Sequence, residues 1–339
     1  MVTQSTPQRH STLRIGMLLL PDFNSLSANA FIDPFRAANY VQGLAWFEWD
    51  FLSIENTEVV ASNTLPVKSG HRFSKEDFYD FVVVNASFAP ERFQNAPLKS
   101  WLRNQARQGT TLVGLDTGAF VLAFAGLMDG KQAVVHYEHT EAYRELFPDS
   151  DALHQLFVAD QQCITCCGGL ASADLALQII RERLGFDVAN AAAHYIFMDR
   201  LRPAEEDQLS RPHEPTGYSI PQLLREAILF MERNLEEPLG IAEISRHLQL
   251  SQRQLERLFQ RYTKVSPKRY YLNLRLDRAR SLITQTGLSL VEVAAICGFG
   301  STNQLARAYK AKFNITPGKD RTEGRIPFQF RFAPRYSGL

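Results

Sequence analysis

The chain has 339 residues, 45% of them hydrophobic and 22% charged, with a formal net charge of +1. That length holds two domains of ordinary size. No apolar run approaches a membrane span, the polar N-terminus lacks a signal-peptide core, and four cysteines do not make a secreted disulfide framework, so the expected location is the cytoplasm. The near-neutral total conceals a split. Residues 1–218 carry 17 Lys+Arg against 26 Asp+Glu, whereas residues 219–339 carry 20 against 10. A basic second half suits a polyanionic partner, and an acidic first half suits a separate task.

Residues 1–11 are polar. Residues 13–20 (LRIGMLLL) read as a strand buried on both faces, stopped by Pro21. Residues 27–40 read as a helix with Ala30, Phe31, Pro34, Phe35 and Ala38 near one face. Strands follow at 46–54, 81–85 and 111–115, with helices at 98–108 and 118–127 between and after them. Val134-Val135 leads into His136, Tyr137 and Glu138. A last strand at 162–165 precedes helices at 172–184 and 188–198. Strand and helix alternate throughout, which predicts an open α/β sandwich with a mainly parallel sheet over 12–202.

The informative point is Gly114-Leu115-Asp116-Thr117-Gly118-Ala119-Phe120. A strand runs into a helix through a turn flanked by glycines, at the end of the strand where open α/β sheets bind ligands. Asp116 there is either a ligand-facing carboxylate or the N-cap of the next helix. Carboxylates beside aromatic side chains suit a cation, above all a quaternary ammonium or guanidinium group. Phe120, His136, Tyr137 and the Trp46-Phe47 pair are candidates for those aromatic faces. Cys163, Cys166 and Cys167 include a C-x-x-C spacing but no second ligand pair, and read as small apolar residues of a strand entering the turn at Gly168-Gly169. Neither metal nor cofactor is expected.

Residues 203–220 are rich in Pro and charge and read as a linker. From Gln222 helical patterning begins. Residues 289–317 read as helix, turn, helix: Ser289 with Glu292 forms a capping box, Gly298 supplies a left-handed turn residue, and Ser301 with Gln304 caps a second helix whose apolar stripe is Leu305, Ala308, Tyr309 and Phe313. The same unit occurs about 49 residues earlier, with Ile244, Leu248, Leu255, Arg257 and Phe259 matching Val293, Cys297, Leu305, Arg307 and Tyr309. Residues 267–285 between the copies read as one helix, about 28 Å long at 1.5 Å per residue. That is close to the roughly 34 Å between successive major-groove entries on one face of DNA. Gln252, Arg253, Gln254 and Arg257 in the first copy, and Thr302, Asn303, Arg307 and Lys310 in the second, are left off the apolar stripes. Arg pairs bidentately with guanine, so Arg253, Arg257 and Arg307 are the base-edge candidates, with Thr302 and Asn303 beside them. Lys264, Lys268, Arg269, Lys310 and Lys312 are phosphate candidates. The tail 326–339 is apolar enough to pack on a domain.

Residues 220–321 resemble the AraC/XylS family of transcription regulators. The resemblance rests on Ser266-Pro267-x-x-Tyr270, Arg275-Leu276 and Ala279, then Val293-Ala294, Cys297-Gly298-Phe299, Arg307-Ala308-Tyr309 and Thr316-Pro317. Gln304-Leu305 departs from it, since many members have an aromatic after a His there. The elbow, with Ala125-Gly126-Leu127-Met128-Asp129-Gly130 and His136-Tyr137-Glu138, resembles the DJ-1/PfpI superfamily. The whole chain, 13–321, is similar to GlxA-type AraC regulators, which join those two parts at a linker near 203–220 and end the DNA-binding domain near 322. The resemblance implies double-stranded promoter DNA, a small-molecule effector, RNA polymerase and a second copy of the chain as partners, and an activator as the role. DJ-1/PfpI enzymes carry a cysteine at the elbow. Asp116 in its place implies a pocket made of Asp116, Thr117, Gly118, Phe120, Asp33, His136, Tyr137 and Glu138 that binds an effector of the betaine, carnitine or arginine class. A retained hydrolase or isomerase activity is the alternative.

Overall fold

The computed structural model describes residues 11–55, 58–74, 76–208 and 221–323. The apolar tail and linker residues 209–220 lie outside the described residues. The chain divides into two units, Met1–Leu209 and Ser210–Leu339.

In the first unit β1 (Leu13–Leu19), α1 (Ser25–Gln42) and β2 (Phe47–Ser53) are followed by a hairpin of β3 (Glu58–Val60) and β4 (Pro66–Lys68). Then come β5 (His71–Arg72), β6 (Phe81–Ala86), α2 (Ala96–Arg107), β7 (Thr111–Asp116), α3 (Gly118–Phe124), β8 (Gln132–Val134) and α4 (Thr140–Leu146). The unit continues with β9 (Asp151–Leu153), β10 (Phe157–Asp160), β11 (Cys163–Cys166), α5 (Ala171–Leu184) and α6 (Phe186–Tyr195). A seven-stranded sheet runs in the order β10-β11-β7-β6-β1-β2-β5, with only β10 antiparallel to its neighbour. All six residues of β6 are buried, as a strand covered on both faces requires. α1, α5 and α6 cover one face through Phe31, Phe35, Leu175 and Ile179; α2, α3 and α4 cover the other through Leu98, Trp101, Phe120 and Tyr143. This is the expected mainly parallel sandwich.

Register positions the site. Leu19 pairs with Asn85, Ala86 with Asp116 and Leu115 with Cys166. The carboxyl ends of β1, β6, β7 and β11 therefore line up along one edge of the sheet. The short strands β3, β4, β5, β8, β9 and β10 had no counterpart in the sequence reading, because two to four residues carry no periodicity.

The second unit holds α7 (Gln222–Glu232), α8 (Ile241–His247), α9 (Gln252–Thr263), α10 (Pro267–Gln285), α11 (Leu290–Ile296), α12 (Thr302–Phe313) and α13 (Pro317–Glu323). α8 with α9 and α11 with α12 are the two helix-turn-helix copies. Ser289 accepts from the Glu292 N–H and the Glu292 side chain accepts from the Ser289 N–H, which completes the expected capping box. Gly298 takes φ +69°, and Gln249 at the matching position takes φ +54°. A Cβ at Gly298 would lie 2.5 Å from the Pro238 ring, so this turn requires glycine while the first tolerates glutamine.

Two small cores hold the unit. Leu224, Ile244, Leu255, Phe259 and Tyr271 form one; Leu276, Ala279, Leu282, Val293, Leu305 and Tyr309 form the other. α10 serves both, its first turns in one core and its last turns in the other, so it shows no single apolar stripe. Arg275 on α10 donates from Nε to the Cys297 carbonyl at 2.8 Å and from Nη2 to the Gly298 carbonyl at 2.6 Å, with its guanidinium 4.3 Å from the Phe299 ring centre. It clamps the second turn. Asp320 on α13 is fully buried and accepts from Arg280 Nε at 2.8 Å and the Tyr309 hydroxyl at 2.7 Å, tying α10, α12 and α13 together.

Candidate functional site

Asp116 ends β7 with φ +60°, a left-handed conformation uncommon for a non-glycine residue. The N-cap of α3 is Thr117, with no side-chain capping bond, so Asp116 does not cap that helix. Its carboxylate instead accepts from Asn24 Nδ2 at 2.9 Å and is hydrogen-bonded by Ser87. Asp116 is 4% exposed. Burial pushes its carboxyl above the usual range; nearby His136 and the bonds from Asn24 and Ser87 pull the other way, and Glu138 adds to the rise.

Glycines make room for this arrangement. A Cβ at Gly118 would meet the Val84 carbonyl oxygen at 2.2 Å, so only glycine lets α3 start against β6. A Cβ at Gly168 would lie 2.9 Å from both Asp116 Cβ and Ser27 Oγ, and Ser27 Oγ accepts from the Gly169 N–H at 2.7 Å. The turn after β11 therefore forms one wall beside Asp116. His136 and Glu138 act on Asp116 electrostatically. His136 is half-buried, with its ring centre 4.4 Å from that of Tyr137, and Tyr137 and Glu138 are exposed.

Several expected pocket residues lie elsewhere. Asp33 stands on the exposed face of α1 and pairs with Arg36 at 2.9 Å, because the helix turns positions 29, 33, 36 and 40 outward. Phe120 is a core residue, 5.0 Å edge-on to Tyr143 and 5.9 Å from Phe147. Thr117 is fully buried and its hydroxyl donates to the Ser87 carbonyl at 2.6 Å. It fixes the elbow rather than facing a ligand, and Gly118 serves packing. Trp46 and Phe47 sit at the amino end of β2, the opposite edge of a parallel sheet from Asp116.

Asn24, Ser27 and Ser87 were not anticipated. Asn24 caps α1 by accepting from the Leu26 and Ser27 N–H groups, and its carbonyl accepts from Asn85 Nδ2 at 3.0 Å. The available signal was position: Asn24 and Ser87 each lie just beyond the carboxyl end of a buried strand. The four cysteines are all reduced and buried.

In the second unit Gln252, Arg253, Arg257, Asn303, Arg307 and Lys310 are exposed on α9 and α12, and Thr302 is partly buried. Among the described residues the side chains of Arg253, Arg257 and Arg307 make no hydrogen bond or ion pair, which leaves their guanidinium forks available to base edges. Gln254 is corrected from reader to cap: its Oε1 accepts from the Ser251 N–H at 2.8 Å and the Ser251 hydroxyl at 2.9 Å. Gln304 does similar work, accepting from the Gly300 N–H at 2.9 Å, while Leu305 fills the core. Lys312 is corrected from phosphate contact to internal tie, donating to Asp277 at 2.6 Å and to the Asn273 carbonyl at 2.9 Å. Lys268, Arg269 and Lys310 remain exposed.

Comparison with known proteins gives this geometry a family. A helix-turn-helix domain model matches residues 244–323. The HTH-type transcriptional regulator CdhR of Pseudomonas aeruginosa is 38% identical over 304 residues, 90% of each chain. The HTH-type transcriptional regulator GlxA of Rhizobium meliloti is 33% identical over 307 residues, 90% of this chain and 94% of its own. A solved THiJ/PfpI family protein from Pseudomonas syringae superposes with a TM-score of 0.52 at 15% identity, over 73% of this chain and 97% of its own, which shows shared fold. Among the described residues no helix is long and apolar enough to cross a membrane. From two capped helix-turn-helix copies, a parallel sandwich with an elbow, and relatives similar along nine-tenths of its length, the protein belongs to the AraC-type transcription regulators with a DJ-1/PfpI-like amino-terminal domain.

Proposed function

We propose that the protein is an effector-responsive promoter activator whose first unit binds a small cationic, amino-acid-like metabolite at Asp116. The observation that carries this reading is the environment of that carboxylate. It is buried, held in a left-handed conformation, and gripped by Asn24 and Ser87. Water solvates it poorly, so a quaternary ammonium or guanidinium group would supply the countercharge that burial removes. Glu138 adds a second carboxylate beside it, and Tyr137 an exposed aromatic face. A carboxylate is a weaker nucleophile than the thiolate of this fold's enzymes, which favours binding over turnover.

On the DNA side, Arg253, Arg257, Asn303 and Arg307 read bases, and Lys268, Arg269 and Lys310 position the backbone. α10 sets the spacing of the two readers. A second copy of the chain and RNA polymerase complete the assembly. The exposed Tyr40 and Tyr195, with ring centres 4.8 Å apart beside the Asp33–Arg36 pair, favour pairing of copies through α1 and α6.

Calorimetry tests the effector reading. Wild-type protein is titrated with glycine betaine, carnitine and arginine, then the Asp116→Ala protein with whichever binds. Binding that survives the substitution unchanged removes the assignment.

A further inference from the structure

Residues 202–208 fold back onto the first unit as a strap. Arg202 anchors one end: its N–H reaches Asp174 Oδ1 at 2.8 Å, and its Nε and Nη2 reach Oδ2 at 2.9 and 2.6 Å, with Asp174 fully buried in the first turn of α5. The backbone then runs against residues 154–156. The Leu156 N–H donates to the Ala204 carbonyl at 3.0 Å, the Gln208 N–H donates to the His154 carbonyl at 3.2 Å, and Gln155 bridges Asp207. Gln208 closes the other end. Its Nε2 donates to the Val135 carbonyl at 2.9 Å and to the Gln155 carbonyl at 2.8 Å, which uses both amide hydrogens.

Both contacts lead to segments that act on Asp116. Val135 immediately precedes His136, which with Glu138 acts electrostatically on that carboxylate. The Leu156 carbonyl accepts from the Cys167 N–H at 2.9 Å, and the next residue, Gly168, is the one pressed against Asp116 and Ser27. One seven-residue stretch thus holds the two segments that flank the elbow from separate parts of the sequence. In the sequence, residues 209–220 follow directly and lead to the helical unit.

We infer that this strap reports the state of the Asp116 site to the linker, with Gln208 as its latch. The inference rests on the reading of Asp116 as the effector site. A cation seated at Asp116 draws on His136, Tyr137 and Glu138, and any shift of that segment moves the Val135 carbonyl on which Gln208 hangs. The equilibrium between a docked and a released strap then depends on occupancy. Coupling of this kind is reciprocal: releasing the strap changes affinity at Asp116 by the factor with which occupancy changes docking. Arg202 holds the strap's root in both states, because buried Asp174 accepts from its backbone N–H and from two guanidinium N–H groups, the latter charge-assisted. Movement is therefore confined to 204–208, which is tied at a half-exposed edge by hydrogen bonds, the Arg200–Glu206 ion pair and the packing of Ala204.

Hydrogen–deuterium exchange of the full-length chain tests the inference without any effector. Three proteins are compared: wild type, Gln208→Glu, which keeps the shape but removes both donors, and Asp116→Asn, which touches no atom of the strap. Gln208→Glu should raise exchange at least threefold in peptides covering both 204–208 and 135–139. Asp116→Asn should change exchange in 204–208 at least twofold. A strap indifferent to Asp116→Asn overturns the inference, as does a 135–139 segment indifferent to Gln208→Glu. Glycine betaine at saturating concentration is then the probe. It should alter strap exchange in wild type and not in Gln208→Glu, while binding both. Absence of betaine, carnitine and arginine binding would defeat the effector reading alone, since the ligand-free comparison decides the coupling independently.

Discussion

Asn24 donates from Nδ2 to the Asp116 carboxylate at 2.9 Å across 92 positions of sequence. The same side chain caps α1 through its Oδ1. One amide thus fixes both the start of the first helix and the carboxylate at the elbow. Asn24→Ala would cost a cap, about 0.5–2 kcal/mol, and leave Asp116 with one partner fewer. Asn24→Asp keeps the cap but sets a second carboxylate against Asp116. Thermal melting across pH should therefore separate the two roles: the Asp variant, which keeps the cap, melts lower at neutral pH and recovers as pH falls and one carboxyl protonates, whereas the Ala variant, which loses the cap, melts lower at both.

Asp116 should limit stability at neutral pH. Its folded-state pKa lies above the unfolded value of 3.8 because burial disfavours the charged form. Between the two values the folded state holds more protons, so stability falls as pH rises through that window and stays lower above it. Asp116→Asn removes the charge and can still accept from Asn24. The variant should gain about 0.5–2 kcal/mol at neutral pH, with the gain fading as pH falls toward the unfolded pKa. A melting difference that does not change with pH would contradict this account. Function would suffer as stability improved, which is the ordinary trade-off at a binding site.

The arginines proposed to read bases should behave differently from the lysines. Arg257→Ala and Arg307→Ala should each cost about 1–3 kcal/mol against a cognate promoter and relax preference at one position. Lys268→Ala should weaken binding to all sequences alike and lower the salt slope by about 1. Fluorescence anisotropy over a set of single-base operator variants, at several salt concentrations, distinguishes the patterns. Uniform loss for Arg257→Ala would place that residue on phosphate.

Arg275 should tolerate no lysine. Its planar fork bonds two successive carbonyls of the second turn while stacking on Phe299, and a lysine offers one flexible ammonium. Arg275→Lys should destabilise the helical unit by about 1–3 kcal/mol and weaken contacts made by α12 more than those made by α9. Hydroxyl-radical footprinting on promoter DNA reads the difference between half-sites.

Asp320→Asn should be among the costliest single changes in the second unit. It strips the countercharge from Arg280 and weakens the acceptor for the Tyr309 hydroxyl, whose ionisation burial and Asp320 already push upward. Removing one partner of a fully buried pair costs about 3–5 kcal/mol; Arg280 is 34% exposed, so about 2–4 kcal/mol is expected. Urea denaturation of the full chain should show this loss confined to the transition of the helical unit.

Local signals were legible from sequence; distant pairings were not. The FVVVN run had to be a strand buried on both faces, and Ser289 with Glu292 had to start a helix, because each pattern is complete within a few residues. The duplicated apolar spacing around Arg257 and Arg307 exposed the double helix-turn-helix without any structure. The proposed pocket was legible at Asp116, at 136–138 and at the Gly168-Gly169 turn. Asn24 and Ser87 are brought there by strand order, and Gly168 by a turn on another strand, so no local window contains them together. Phe120 and Asp33 misled for a related reason: chemistry suited them to a cation site, but helix phase aimed one into the core and the other at Arg36. Capping likewise claimed Gln254, a competitor for its amide that its polarity alone did not reveal.

α10 gives Tyr271 to one core and Leu276, Ala279 and Leu282 to the other. The two similar units thereby share one common wall. Neither could be excised or exchanged with a relative's without opening the hydrophobic interior of the other. Recombination among such regulators is therefore expected to transplant the readers as a couple, and new operator preferences to arise through substitutions on their outward faces.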